Sequence, residues 1–287
     1  MTVSSHNTSP AKSNKGEKEK ELTKVFTFLG LFIFLPSSQV MGSSQSLIQQ
    51  FPFPPLPELS TTQKSASTNL TCTLRPLLTE VEGTPQQIEG PYFVDGMPNR
   101  SDIRSDTSDG SVQDGIPLHL ILHVYDVEDN GSCTPLSDAK VDIWHANSQG
   151  VYSGVQDAGT GQNDYLRGYQ MTDDNGTVQF ITIYPGWYEG RAIHIHAKVR
   201  TFDGSNETFE WTSQFYLNNS INEKIYTQPP YSKHGPVDLK NEEDFIYTGP
   251  SNDGLIKNNT GKHLMIILKD DGQGYIGTFN IGVNATH

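Results

Sequence analysis

Leu118-His-Leu-Ile-Leu-His-Val-Tyr125 sets the reading of the rest of the chain. Leu118, Leu120, Leu122 and Val124 occupy every second position, with His119, Ile121, His123 and Tyr125 between them. Successive side chains of a strand point to opposite faces, so the stretch predicts a strand with one face in a core. His119 and His123 carry no sign of a site and read as ordinary strand residues. Working outward, further strands are predicted over Lys140–Ala146, Thr177–Tyr184, Ala192–Thr201, Phe209–Leu217, Leu264–Lys269 and Tyr275–Val283. Between the last two, Asp270-Asp-Gly-Gln-Gly274 has the composition of a hairpin turn. Intervals rich in turn residues, with no long helical period and no internal repeat, point to an all-β fold. The expected architecture is a single antiparallel β-sandwich.

One of these strands carries more than packing. Thr182-Ile-Tyr-Pro-Gly-Trp-Tyr-Glu-Gly-Arg-Ala-Ile-His-Ile-His-Ala-Lys-Val199 ends in an alternation that places His194 and His196 on one face. Two imidazoles side by side on a rigid strand form a natural pair of metal ligands, and copper, zinc and iron all use such pairs. A strand histidine is often no more than a half-buried polar residue, so the pair needs further donors to make a site. Tyr188 and Arg191 lie just before it, after a Pro185-Gly186 turn. Upstream, Val141-Asp-Ile-Trp-His-Ala-Asn-Ser-Gln-Gly-Val-Tyr-Ser-Gly154 brings Tyr152.

These two blocks, in this order, resemble the intradiol ring-cleavage dioxygenases, which include the protocatechuate 3,4- and catechol 1,2-dioxygenases. The resemblance runs from about Glu89 to the end of the chain and covers Tyr152, Tyr188, Arg191, His194 and His196. It implies a non-haem Fe(3+) ion held by Tyr152, Tyr188, His194 and His196, with Tyr188 the ligand that leaves when substrate binds. Hard ferric iron suits phenolate oxygen together with imidazole, and four protein ligands leave positions for solvent and substrate. The implied reaction is cleavage of a catechol by O2 between its two hydroxylated carbons, giving a cis,cis-muconate. Arg191 matches an arginine placed over the reacting ring, where a fixed cation stabilises developing charge. Gln214, in Trp211-Thr-Ser-Gln-Phe-Tyr216, matches a glutamine that hydrogen-bonds near the iron. Tyr92, in Glu89-Gly-Pro-Tyr-Phe93, falls where the family lines its pocket mouth, as packing or as substrate contact. Trp187 flanks the ring or covers core. Only Glu189 and Gly190 separate Tyr188 from Arg191, shorter than in bacterial relatives, which implies an open pocket and catechols with bulky substituents. The likeness is greatest to a secreted eukaryotic branch. A secreted sandwich that only binds phenolics or carbohydrate, and an enzyme using copper or zinc at the histidine pair, are the competing readings.

Composition fits this picture. The chain has 287 residues, 34% hydrophobic and 10% aromatic, with a net charge of −13. That is enough for one sizeable core, and the acidity argues against nucleic acid as a partner. Val25-Phe-Thr-Phe-Leu-Gly-Leu-Phe-Ile-Phe-Leu-Pro36 follows a Lys-rich stretch and precedes small residues. Too short to span a bilayer, it reads as a secretory signal, so the mature protein is expected to be extracellular and free of membrane. The expected division is leader and signal over 1–42, a Pro/Ser/Thr-rich disordered arm over 43–75 and the catalytic sandwich over 76–287. Asn-x-Ser/Thr sequons at Asn69, Asn99, Asn130, Asn175, Asn206, Asn218, Asn258 and Asn284 agree with export. Two cysteines, Cys72 and Cys133, read as one disulfide in an oxidising compartment or as two unpaired thiols. Nothing in the arm resembles the helical dimerisation segment of bacterial relatives, and a monomer is expected.

Overall fold

The computed structural model describes residues 83–128, 132–249 and 260–285. The chain divides into two units, residues 1–64 and 65–287. The stretches expected to be a signal peptide and an arm, with Cys72 and the sequons at Asn69, Asn130 and Asn258, lie outside the described residues.

Strand β1 (Pro117–Val127) buries alternate residues, and Leu118, Leu120, Leu122 and Val124 are wholly inaccessible, as their spacing requires. It is joined by β2 (Cys133–Pro135), β3 (Lys140–Trp144), β4 (Arg167–Met171), β5 (Thr177–Ile183), β6 (His194–Asp203), β7 (Asn206–Tyr216), β8 (Ile267–Asp270) and β9 (Tyr275–Val283). Two short helices, α1 (Asn219–Ile225) and α2 (Phe245–Thr248), follow β7. Among the described residues no helix is long and apolar enough to cross a membrane.

The strands form two sheets. One is ordered β2-β1-β9-β8 with β5 also against β1, and the other is ordered β4-β3-β6-β7. The core between them takes Leu118, Leu120 and Leu122 from β1, Val141 and Ile143 from β3, Ile195, Ala197 and Val199 from β6, and Phe215 from β7. The sandwich is as expected, and the second sheet is antiparallel throughout. In the first sheet β1 and β9 run parallel, with Leu118 opposite Tyr275 and Asp126 opposite Val283. Parallel neighbours need a long crossover, and the whole second sheet supplies it. The predicted hairpin joins β8 to β9, with the Asp271 N–H donating to the Gly274 carbonyl at 3.2 Å.

Strands β2 and β4 have no counterpart in the sequence reading. Strand β2 has three residues, too few for any period. Arg167-Gly-Tyr-Gln-Met171 lacks apolar alternation because its buried residues are Arg167 and Gly168; β4 ends its sheet, with β3 on one side and an isolated bridge from Asn99 to Tyr169 on the other. Strand β6 begins at His194 rather than Ala192, and β8 at Ile267 rather than Leu264.

Candidate active site

The parity of β6 builds the site. Ile195, Ala197 and Val199 enter the core between the sheets, so His194, His196, Lys198 and Arg200 lie on the other face of the same strand. That face is buried too, with His194 at 3% and His196 at 1% exposure. Register aligns His196 with Trp144 of β3 on one side and Gln214 of β7 on the other. Trp144 stacks on His196 with ring centres 4.7 Å apart and planes 7° from parallel. A second apolar cluster, built on Met97, Trp144, Ala146 and Tyr152 with Tyr92, Phe93 and Tyr188 against it, covers this outer face.

The two tyrosines arrive on loops that interlock backbone against backbone. A methyl group at Gly186 would lie 2.0 Å from the Asn147 carbonyl oxygen, and one at Gly150 would lie 2.1 Å from the Trp187 carbonyl oxygen. Only glycine permits that approach, and Gly150 also takes a positive φ of 77°. Asn147 ties its own loop, its Oδ1 accepting the N–H groups of Gln149 and Val151 at 3.0 Å each. Tyr152 then emerges buried under Tyr92, the two rings stacked at 4.5 Å. Tyr188 is only half buried, its ring edge-on to Tyr152 at 5.7 Å and to His194 at 5.6 Å.

Three donor atoms meet here, with the Tyr188 ring beside them. The Nδ1–H of His194 donates to the Ala192 carbonyl at 2.6 Å, which leaves Nε2 as a lone pair. That Nε2 lies 3.3 Å from the Tyr152 hydroxyl and 3.1 Å from Nε2 of His196. Nδ1 of His196 is buried with no partner among the described residues. Burial, followed by the charge of Arg191, holds the His194 imidazole well below its ordinary pKa. Burial, then His194, does the same to His196. Burial, with Tyr188 next, pushes the Tyr152 phenol well above its ordinary value. Burial also raises Tyr188, against the opposing pull of Arg191. All four groups are therefore held neutral and desolvated, an arrangement that a bound cation would stabilise. The side chains beside the histidine pair are the phenols of Tyr152 and Tyr188, and among the described residues no three His, Cys, Asp or Glu side chains cluster. Two imidazole nitrogens and two phenol oxygens fit a hard, strongly Lewis-acidic ion such as ferric iron.

Arg191 closes the group. Its Nη1 donates to the Tyr188 hydroxyl at 3.3 Å, and its Nη2 donates to Oε1 of Gln214. Gln214 is anchored in turn by its Nε2, which donates to the Ile88 carbonyl at 2.8 Å. The structure thus brings Tyr152, Tyr188, Arg191, His194, His196 and Gln214 to one place. Trp187 instead packs against the main core, its ring 4.1 Å from that of His234. Missed altogether was Asp244, whose Oδ2 accepts from Nε of Arg191 at 2.9 Å. Its one legible signal was an acidic residue ahead of the short apolar Phe245-Ile-Tyr247, as at a helix N-cap.

A family model described as Dioxygenase matches residues 88–237. A solved intradiol ring-cleavage dioxygenase from Tetranychus urticae is 31% identical, over 71% of this chain and 95% of that one, with a TM-score of 0.57. The chain belongs to the intradiol dioxygenase family. It is also similar to a catechol 1,2-dioxygenase of Acinetobacter baylyi, 38% identical over 105 residues that make up 37% of this chain and 32% of that protein. A chlorocatechol 1,2-dioxygenase of Pseudomonas putida is 30% identical over 166 residues, 48% of this chain and 58% of that relative. The chain thus spans about a third to three fifths of the length of these curated relatives. Family membership rests on the segment that carries both tyrosine loops and the histidine strand.

Proposed function

We propose that this protein is an extracellular ferric dioxygenase that opens catechols with O2 between the two hydroxylated carbons, giving cis,cis-muconate-type diacids. The observation that carries this reading is the convergence on Nε2 of His194, which lies 3.1 Å from Nε2 of His196 and 3.3 Å from the Tyr152 hydroxyl, with Tyr188 edge-on beside them. Tyr152, Tyr188, His194 and His196 would hold the iron, which when bound would supply the Lewis acidity that ionises a catechol and prepares its ring for O2.

The rest falls to the chain's own side chains. Tyr152 is pinned by the Tyr92 ring and by burial, which suits a permanent ligand. Tyr188 is half exposed on its loop and, among the described residues, held at its hydroxyl by Arg191, which suits a ligand that yields to substrate and takes a catechol proton. The Nδ1 bond of His194 to Ala192 and the stacking of His196 on Trp144 keep both rings turned to one point. Arg191, fixed by Gln214 and Asp244, offers a preorganised positive charge beside the substrate. No copper- or zinc-type ligand cluster and no separate binding groove is needed to account for these contacts.

Several finer readings belong with this proposal. The short Tyr188-Glu-Gly-Arg191 turn supports an open pocket that takes catechols with bulky substituents. Secretion is supported by the apolar run at Val25–Pro36 and by exposed sequon asparagines at Asn99, Asn175, Asn206 and Asn218. Asn284, half buried, is a poorer sugar site. A Cys72–Cys133 bridge agrees with the lack of any free cysteine among the described residues. The working form is a monomer.

The test is a visible spectrum of the purified iron-loaded protein, with and without catechol in the absence of oxygen. A tyrosinate-to-iron band that moves on catechol addition supports the reading. A protein that stays colourless after iron loading would sink it. Secretion is checked by expressing the whole chain in a secreting eukaryotic cell; unglycosylated protein retained inside the cell would overturn that part.

A further inference from the structure

Asp244 is fully buried and lies outside both tyrosine blocks. Its two oxygens have different partners. Oδ1 accepts the N–H groups of Ile246 at 2.7 Å and Tyr247 at 3.3 Å, capping α2. Oδ2 accepts from Nε of Arg191 at 2.9 Å and from the backbone N–H of Ala192 at 2.8 Å. The carbonyl of that same Ala192 receives Nδ1–H of His194. Capping alone would need one side-chain oxygen, which serine, threonine or asparagine also provides. The second oxygen reaches into the site from a segment 53 residues beyond Arg191. A buried guanidinium without a carboxylate beside it is an unpaired charge, and among the described residues Asp244 is the carboxylate that pairs with Arg191. Losing Asp244 would therefore free Arg191 to turn and would loosen the peptide that orients His194.

We infer that Asp244 is a positioning residue: it locks the Arg191 guanidinium in the orientation that reaches Tyr188 and Gln214 and, through Ala192, sets the ring of His194. Its effect on turnover rests on the catechol reaction proposed above, while its hold on Arg191 does not.

The test uses Asp244→Asn and Asp244→Ser in the full chain. Serine keeps a capping oxygen for α2 but is too short to reach Arg191. The metal-free readout is the Arg191 Nε–H resonance in nitrogen-15 NMR, assigned by its loss in Arg191→Gln. In the wild type this proton should be shielded from solvent exchange, and in both Asp244 variants that protection should vanish while far-ultraviolet circular dichroism is retained. With iron and catechol, kcat should fall by roughly 10- to 100-fold, with KM changed far less. In an Arg191→Gln background, adding Asp244→Ser should cost clearly less than in the wild type, the remainder being its hold on His194 through Ala192. Persistent protection of the Arg191 proton in the variants overturns the proposal. So does an equal kcat loss with and without Arg191. Failure of both variants to fold would assign Asp244 to the fold alone and overturn it equally. A wild-type protein that turns over no catechol would count against the catechol reaction and leave the NMR measurement to decide Asp244.

Discussion

The two faces of β6 are buried to nearly the same degree and are made of opposite chemistry. Toward the first sheet stand Ile195, Ala197 and Val199, which contribute apolar area and close packing. Away from it stand His194, His196, Lys198 and Arg200, each of which must find a partner to offset its desolvation. Lys198 does so with Glu89 and Glu210 and lies over the Phe93 ring at 4.3 Å. Arg200 pairs with buried Asp142 at 2.8 Å. Among the described residues His194 and His196 have no such carboxylates; Nε2 of His194 meets Nε2 of His196 and the Tyr152 hydroxyl instead, with the Tyr188 ring edge-on. The inner face therefore supports the fold, and the outer face gives up part of that stability to hold the proposed iron ligands.

The sharpest way to break this contrast is His196→Ala. It should lower iron affinity and catechol turnover by at least ~10³-fold, about 4 kcal/mol, with the fold kept. Iron titration beside a thermal melt checks it, and unfolding of the variant would mean that the outer face carries the fold as well. On the inner face, Ile195→Ala should cost about 3 kcal/mol in urea unfolding, since a wholly buried side chain leaves a cavity. The iron-loaded variant should keep the wild-type position of its visible band; a displaced band would show that the faces are coupled.

His145 tests the inner layer from another side, because it is fully buried with both ring nitrogens bonded, to the Ala146 carbonyl and to the Thr182 hydroxyl. Burial brings its pKa down to about 4, against an opposing bond to Ala146. With the folded value below the ordinary 6.5, the unfolded chain protonates first as pH falls. The associated stability is full above pH 6.5 and is lost as pH drops toward 4, by about 3 kcal/mol. Urea unfolding across that range should show a shallower pH slope for His145→Gln than for wild type; equal slopes would remove His145 from the account. The smallest effect is expected on the outer face, where Lys198→Met should cost about 1 kcal/mol because both of its carboxylates retain access to water. A loss several times larger would mean that this ion cluster holds the covering segment in place.

How much of this was legible beforehand depends on the range of each interaction. Alternation in β1 and β6 announced which residues face inward, because side-chain direction on a strand is set by neighbouring residues. Gly150 and Gly186 were written into the tyrosine blocks, yet their reason, two loops meeting backbone to backbone, appears only in three dimensions. Strand β4 was invisible because its buried residues are an arginine and a glycine, Arg167 and Gly168, which leave no apolar period to read. By itself, then, the sequence determined the β-sandwich, the histidine pair and the two tyrosines, all carried by local periods and turns. Tertiary structure alone decided the parallel pairing of β1 with β9, the stacking of Trp144 on His196 and the hold of Asp244 on Arg191. Each of these joins segments far apart in the chain, and no local pattern records which distant partner a buried charge or a strand edge will meet.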